Sequence, residues 1–133
     1  MPKHEFNVNC SYDEHGSTLL IAASSNGHLD IVSYLLKKGA IVDKRDKYGV
    51  TAVYYAARRR HLDVLRLLLE SGGDPSVQPY DTENHPFPLF QATAINHPEV
   101  CEILLKFGAK LDQKFKGFNS LEAATIHNKH KSY

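Results

Sequence analysis

Asp46-Lys47-Tyr48-Gly49-Val50-Thr51-Ala52-Val53-Tyr54-Tyr55-Ala56-Ala57-Arg58-Arg59-Arg60-His61-Leu62-Asp63-Val64-Leu65-Arg66-Leu67-Leu68-Leu69 repeats the pattern of an earlier stretch, Asp13 to Leu36. Gly16 and Gly49, Thr18 and Thr51, His28 and His61, and Asp30 and Asp63 each lie 33 residues apart. A fixed period of this size is the mark of a repeat architecture. A looser third copy runs through Pro88-Leu89-Phe90-Gln91-Ala92, His97-Pro98-Glu99-Val100 and Ile103-Leu104-Leu105. Its histidine comes 36 residues after His61. The extra residues fall in the Pro-rich stretch Val77 to Pro88, which reads as an enlarged loop. A fourth copy starts at Gly117 with Leu121, Ala123 and Ala124, and the sequence reaches Tyr133 before a second helix of that copy.

Each unit has a physical reading. Thr18 and Thr51 open a run of small and apolar residues, where a helix N-cap belongs. Ala23, Ala56, Ala57 and Ala92 allow two helices to approach closely. A second run, such as Leu29-Asp30-Ile31-Val32-Ser33-Tyr34-Leu35-Leu36, places apolar residues at the spacing of one helix face. Gly39, Gly72 and Gly108 follow the second runs at the C-cap position. Residues such as Ile41-Val42-Asp43-Lys44-Arg45-Asp46 then suit an extended arm and a turn. The unit is turn, helix, helix, arm. Its apolar face is too wide to bury alone, so neighbouring units must stack.

Composition narrows the function classes. The 133 residues fit one domain, with 42% hydrophobic and 23% charged residues. The formal net charge of +1 gives no global attraction to nucleic acid or acidic membranes. No stretch approaches the ~20 apolar residues of a membrane helix. The N-terminal Met-Pro-Lys-His-Glu-Phe-Asn has no apolar run behind its charge, so no signal peptide is expected. Cys10 and Cys101 match no metal or redox spacing. They read as free thiols of a reducing compartment, cytoplasmic or nuclear.

These features resemble the ankyrin repeat family, whose units carry Gly-x-Thr, Gly-His-Leu-Asp and Leu-Leu-x-x-Gly-Ala at matching offsets. The likeness covers about Asn7 to about His130. It implies an all-α solenoid of about three and a half stacked helix–turn–helix units with short β-hairpin-like arms. The units divide as 1–12, an arm of a preceding or incomplete repeat; 13–45; 46–78; 79–113 with the enlarged loop; and the partial unit 114–133. The family's Thr-Pro-Leu-His signature is eroded. It stands here as Thr18-Leu19-Leu20-Ile21, Thr51-Ala52-Val53-Tyr54, Phe87-Pro88-Leu89-Phe90 and Asn119-Ser120-Leu121-Glu122. Arg60 and Asn96 occupy the inter-helix glycine position, which calls for a left-handed backbone that Asn tolerates better than Arg. Both ends look open, as in a piece excised from a longer array. The alternative is a small complete protein capped by Ile126-His127-Asn128-Lys129-His130-Lys131.

Several residues could carry chemistry. His97 and Cys101 could share a helix face as metal ligands do, but both fall at packing positions of the repeat. His127 and His130 read as solvated. No phosphate loop, Ser-His-Asp order or carboxylate pair is present. An enzyme is therefore not expected, and neither is a cofactor or a metal site. Arg58-Arg59-Arg60 has two readings. It is an anchor for a partner's carboxylates or phosphates, or a solvated turn that offsets a helix dipole. Nucleic acid is disfavoured, because three arginines give few phosphate contacts. Tyr54 replaces the family's linking histidine and should pack between units. Phe115 and Phe118 could meet a partner or cover a core face. Asp43, Ser76 and Asp112 stand where the family often has Asn, which only Asn9 keeps; the resemblance makes that Asn a candidate for oxygenase hydroxylation.

By resemblance, the function is protein–protein binding through turn tips and inner helix faces, as in a scaffold, adaptor or regulatory protein. The expected patch is Lys47, Tyr48, Tyr55, Arg58 and Arg59. It is extended by Glu14, His15, Ser25 and Asn26 on one side and by Glu83, Asn84, Ala94 and Ile95 on the other. The partner would be a protein or peptide, with acidic or phosphorylated groups where it meets the arginines. The alternative function is structural: open ends that pack on other repeats or on a second copy.

Overall fold

A computed structural model describes residues 7–122 and 124–125. Phe6, Ala123 and the segment from Ile126 to Tyr133, with His127 and His130, lie outside the described residues. Six helices form three antiparallel pairs: α1 (Leu19–Ser25) with α2 (Leu29–Lys37), α3 (Ala52–Arg58) with α4 (Leu62–Glu70), and α5 (Pro88–Ala94) with α6 (Pro98–Lys106). The first helices stack in one layer, α1 on α3 on α5, and the second helices in another, α2 on α4 on α6. Two short strands follow, β1 (Lys114–Phe115) and β2 (Phe118–Asn119). They pair antiparallel, Lys114 opposite Asn119 and Phe115 opposite Phe118. Residues 120–122 and 124–125 are helical.

Small side chains set the distance between the stacked first helices of the pairs. Ala23, Ala52, Ala56, Ala57 and Ala92 are all buried in the continuous core, where α1, α3 and α5 come together. Leu20, Val53, Leu65, Leu68, Leu89 and Leu104 fill the space between inner and outer helices. Tyr54 is buried with Val50 of its own turn and Val77 of the following arm, as its position between units requires.

The helix ends follow the chain's own signals. Thr18 caps α1, its Oγ1 accepting from the N–H of Ile21 at 3.2 Å. Thr51 holds the same backbone position on α3 but makes no side-chain cap bond. Gly39, Gly72 and Gly108 close the second helices with φ of 94, 95 and 92°. The N–H groups of Ala40, Gly73 and Ala109 then return to the carbonyls of Leu35, Leu68 and Leu104 at 2.9–3.0 Å. That is the Schellman closure, which needs a residue without a Cβ penalty at positive φ. The fourth unit starts with a reciprocal cap: Asn119 Oδ1 accepts from Glu122 N–H and Glu122 Oε1 accepts from Asn119 N–H, both at 2.9 Å.

Among the described residues the arms form a strand ladder only at the last turn. Elsewhere side chains replace the ladder. Asn9 Oδ1 accepts from Ile41 N–H at 2.6 Å, Asp43 Oδ1 from Asp74 N–H at 2.9 Å, and Ser76 Oγ from Lys110 N–H at 2.9 Å. At Asp43 and Ser76 the sequence departs from the Asn that Asn9 keeps. The bond asks only for an acceptor oxygen, which Asp and Ser also supply. Asn9 makes a further bond that an amide alone can make, donating Nδ2–H to the carbonyl of Gly39 at 3.2 Å.

The inter-helix turn shows a local conflict. Gly27 has φ of 74°, while Arg60 and Asn96 take the same left-handed conformation at 62 and 60°. The left-handed form costs an ordinary L-residue about 1–2 kcal/mol. Arg60 gains an ion pair in return, NH2 to Glu99 Oε2 at 3.3 Å with both side chains half exposed. A pair of that exposure contributes about 0.2–1 kcal/mol. Strain therefore outweighs the pair. Arg60→Gly is expected to raise stability by about 0.5–1 kcal/mol in urea unfolding, and Asn96→Gly to change it little. A lower urea midpoint for Arg60→Gly would show that the ion pair dominates.

Candidate functional site

The turns before α1 and α3 are each built by one aspartate. Asp13 Oδ1 accepts from His15 N–H at 3.0 Å and from Ser17 N–H at 2.9 Å. Asp46 Oδ1 does the same for Tyr48 at 2.9 Å and Val50 at 3.0 Å. These bonds hold the Asp13 carboxyl below the usual carboxylate range, the backbone bond from Ser17 being the largest cause. The tips are then linked to one another. Lys47 N–H donates to the His15 carbonyl, and Tyr80 N–H to the Tyr48 carbonyl, both at 2.9 Å.

On this frame the second tip is crowded with aromatic and cationic groups. His15 stacks on Tyr48 with centroids 5.9 Å apart, its Nδ1 within 3.1 Å of the Tyr48 hydroxyl. The Lys47 ammonium lies 5.1 Å from the centroid of the Tyr48 ring. Glu14 approaches the other nitrogen of His15 at 3.8 Å. Tyr48 is nonetheless 43% exposed.

Behind the tip lies a pocket of about 220 Å³ lined by Tyr48, Val50, Tyr54, Tyr55, Arg58 and His85. Val50 and Tyr54 are buried and form its floor. Tyr55 is half-buried, meets Tyr54 edge-to-face at 6.0 Å, and donates its hydroxyl to Asp46 Oδ2 at 3.0 Å. Burial first, and then the Asp46 charge, push the Tyr55 phenol up to about 12. Arg58 is exposed at the end of α3. No acid lines this pocket, and Asp46 is buried with its carboxylate committed to the turn and to Tyr55.

The other expected residues divide. Asn26, Arg59 and Ile95 are the C-cap residues of α1, α3 and α5, so they form a row of exposed helix ends. Asn26 donates Nδ2–H to the Ala22 carbonyl at 2.9 Å and borders a separate apolar hollow of about 240 Å³ with Leu19, Ala22, Ile31 and Leu35. Ser25 is half-buried, and its carbonyl meets His61 Nε2 at 3.0 Å. Glu83 and Asn84 belong to the enlarged loop, where both N–H groups donate to Asp81 Oδ1 at 3.2 Å. Ala94 is half-buried at the end of α5. Arg59 does not line the pocket.

Two contributors escape a reading by repeat register. His85 sits in the inserted loop, which has no counterpart in the other units. Arg45 donates to the carbonyls of Gly49 at 2.9 Å and Gln78 at 2.8 Å, and its guanidinium lies 5.4 Å from the centroid of Tyr80. Among the repeat histidines His61 serves packing: a Cβ on Gly27 would come within 2.7 Å of its ring, whereas His28 is exposed. His97 Nδ1 is buried with no partner among the described residues. Burial first, then the Arg60 charge, lowers the His97 pKa, and burial raises that of the Cys101 thiol. Among the described residues no group of three His, Cys, Asp or Glu could hold a metal. Phe115 packs on Phe90 with centroids 5.1 Å apart, whereas Phe118 is exposed.

A family model for ankyrin repeats in three copies matches residues 3–79, more than half of the chain. A second, for ankyrin repeats in many copies, matches residues 55–105. The chain belongs to the ankyrin repeat family. Ankyrin repeats are in general protein–protein interaction modules and are typically non-catalytic. No curated protein matches the chain. No helix among the described residues of this ankyrin stack is long and apolar enough to cross a membrane.

The tie between Asp46 and Tyr55 makes the ankyrin groove wall pH-sensitive at its alkaline edge. The folded-state pKa of Tyr55 is raised, to about 12 from 10.0. The folded state therefore holds the phenol proton more tightly than the unfolded one. That stability is fully present below pH ~10 and is lost as pH rises through ~12. Tyr55→Phe should remove this alkaline loss. It should also cost about 1–3 kcal/mol at neutral pH by leaving Asp46 Oδ2 short of a donor. Urea unfolding at pH 7 and over the alkaline range checks both; an unchanged alkaline slope in Tyr55→Phe would refute the assignment.

Proposed function

We propose that this ankyrin stack binds a partner protein or peptide through the second unit, with Lys47, Tyr48, Tyr55, Arg58 and Arg59 as the centre of the contact. Glu14, His15, Ser25 and Asn26 flank it on one side, and Glu83, Asn84, Ala94 and Ile95 on the other. The partner presents acidic or phosphorylated groups to the arginines. The observation behind this reading is the tyrosine-lined pocket with Arg58 at its edge and no acid in its lining. Tyrosine and arginine are the residue types that dominate interface hot spots. The tips are pre-bonded to one another, so little freedom is lost on binding.

A second reading concerns the first unit. Ile31 is 50% exposed, whereas Val64, one period later, is 2% exposed beneath the preceding unit. That difference favours packing of α1 and α2 against another helix pair, in another repeat or a second copy. Light scattering tests it: a concentration-dependent dimer should vanish with Ile31→Glu, and a dimer indifferent to that change would exclude this face.

The groove reading has its own test. Arg58→Glu with Arg59→Glu should abolish capture of partner protein from a cell extract while the helical circular dichroism stays unchanged. Undiminished capture by the double variant would overturn it.

A further inference from the structure

The chemistry of the pocket in the second unit narrows what can enter it. Pockets that take drug-sized molecules measure about 300–1,000 Å³. This one, at about 220 Å³, is smaller and matches a single side chain. Its walls are mainly rings, and two of the three tyrosine hydroxyls are already engaged. The Tyr55 hydroxyl gives its proton to Asp46 at 3.0 Å, and the Tyr48 hydroxyl is engaged with His15 Nδ1 at 3.1 Å. Val50 supplies a buried aliphatic floor, and Tyr54 a buried ring. An apolar body fits the rings and the aliphatic floor, and the groups left for a polar neighbour are Arg58, the His85 imidazole and the Tyr54 hydroxyl.

The edge of the pocket has the opposite character. Arg58 is exposed there and has no ion-pair partner among the described residues. The nearest carboxylate of the turn, Asp46, is buried and already accepts from two N–H groups and one hydroxyl. A single guanidinium fork matches a single carboxylate in two parallel hydrogen bonds. Arg59 lies outside the lining, so a doubly charged phosphate would find only one of the two forks at this spot. An extended peptide advances about 3.3–3.6 Å per residue. An acid placed one or two residues from the inserted side chain therefore stays within reach of the pocket edge.

We infer that the pocket of Tyr48, Val50, Tyr54, Tyr55, Arg58 and His85 takes one large apolar side chain of an extended peptide, with an Asp or Glu one or two residues away paired to Arg58. This rests on the groove reading and specifies its ligand. Arg58 is the specificity-determining residue, and the tyrosine walls measure the apolar neighbour.

The test uses a displayed library of random peptides selected on the intact chain, followed by fluorescence anisotropy of the most enriched peptide. Enriched sequences should pair a large apolar residue with Asp or Glu at one or two positions' distance. Changing that acid to its amide, or Arg58→Gln in the protein, should each weaken binding about tenfold. Both changes together should weaken it no further than either alone. Selection of peptides without the acid, additive losses, or no enrichment would overturn the inference, as would tighter binding when phosphotyrosine replaces the apolar residue. Failure of the inference is separable from failure of the groove reading. Peptides that lack the apolar–acid pair yet are lost with Arg58→Glu and Arg59→Glu leave the groove standing. Peptides indifferent to that double variant remove the groove as well.

Discussion

The helices of this stack are seven and nine residues long, and no single one could persist by itself. Isolated helices below about 12–15 residues are marginal in water even with favourable sequences. Burial of one helix pair against the next is therefore the constraint from which the rest of the molecule follows. It explains why alanine recurs on the inner helices, where a larger side chain would push α1, α3 and α5 apart. It also explains why Val64 and Val100 are buried while Ile31, which has no preceding unit over it among the described residues, stands half exposed.

Stacking alone would leave the arms loose. Their backbone is tied instead by a column of side-chain acceptors, Asn9, Asp43 and Ser76, each receiving an N–H from the next arm. The tips are tied by a second column, in which each tip's carbonyl receives an N–H from its neighbour. Asp46 joins the two concerns. It closes its turn and fixes Tyr55, so the group that stabilises the fold also positions one wall of the pocket behind the second tip. Because its charge is spent inward, the pocket lining beside it carries Arg58 without an acid.

The irregularities of the array concentrate at the same place. Arg60 holds a left-handed backbone and pairs with Glu99, and the enlarged loop of the third unit brings His85 into the lining of the pocket that Tyr48 and Tyr55 share. A regular array would have neither. Both departures from the repeat pattern fall between the second and third units.

The sequence by itself determined the units, their helices and their caps. The glycines after α2, α4 and α6 and the threonines before α1 and α3 each express a local backbone preference that acts within a few residues of its own position, and the 33-residue period shows the first two units repeating. The tyrosine and arginine residues of the groove were legible too, because the repeat register tells which positions lie at tips and inner helix ends. What register could not convey was which of those groups meet. Arg59 stands apart from the pocket, Asn26 borders a different hollow, and Tyr55 turns its hydroxyl to Asp46 rather than to solvent. His85 enters from an insertion that has no register at all. Those outcomes depend on distances between side chains of different units and on which hydrogen bonds are already satisfied, and only the tertiary stack sets them.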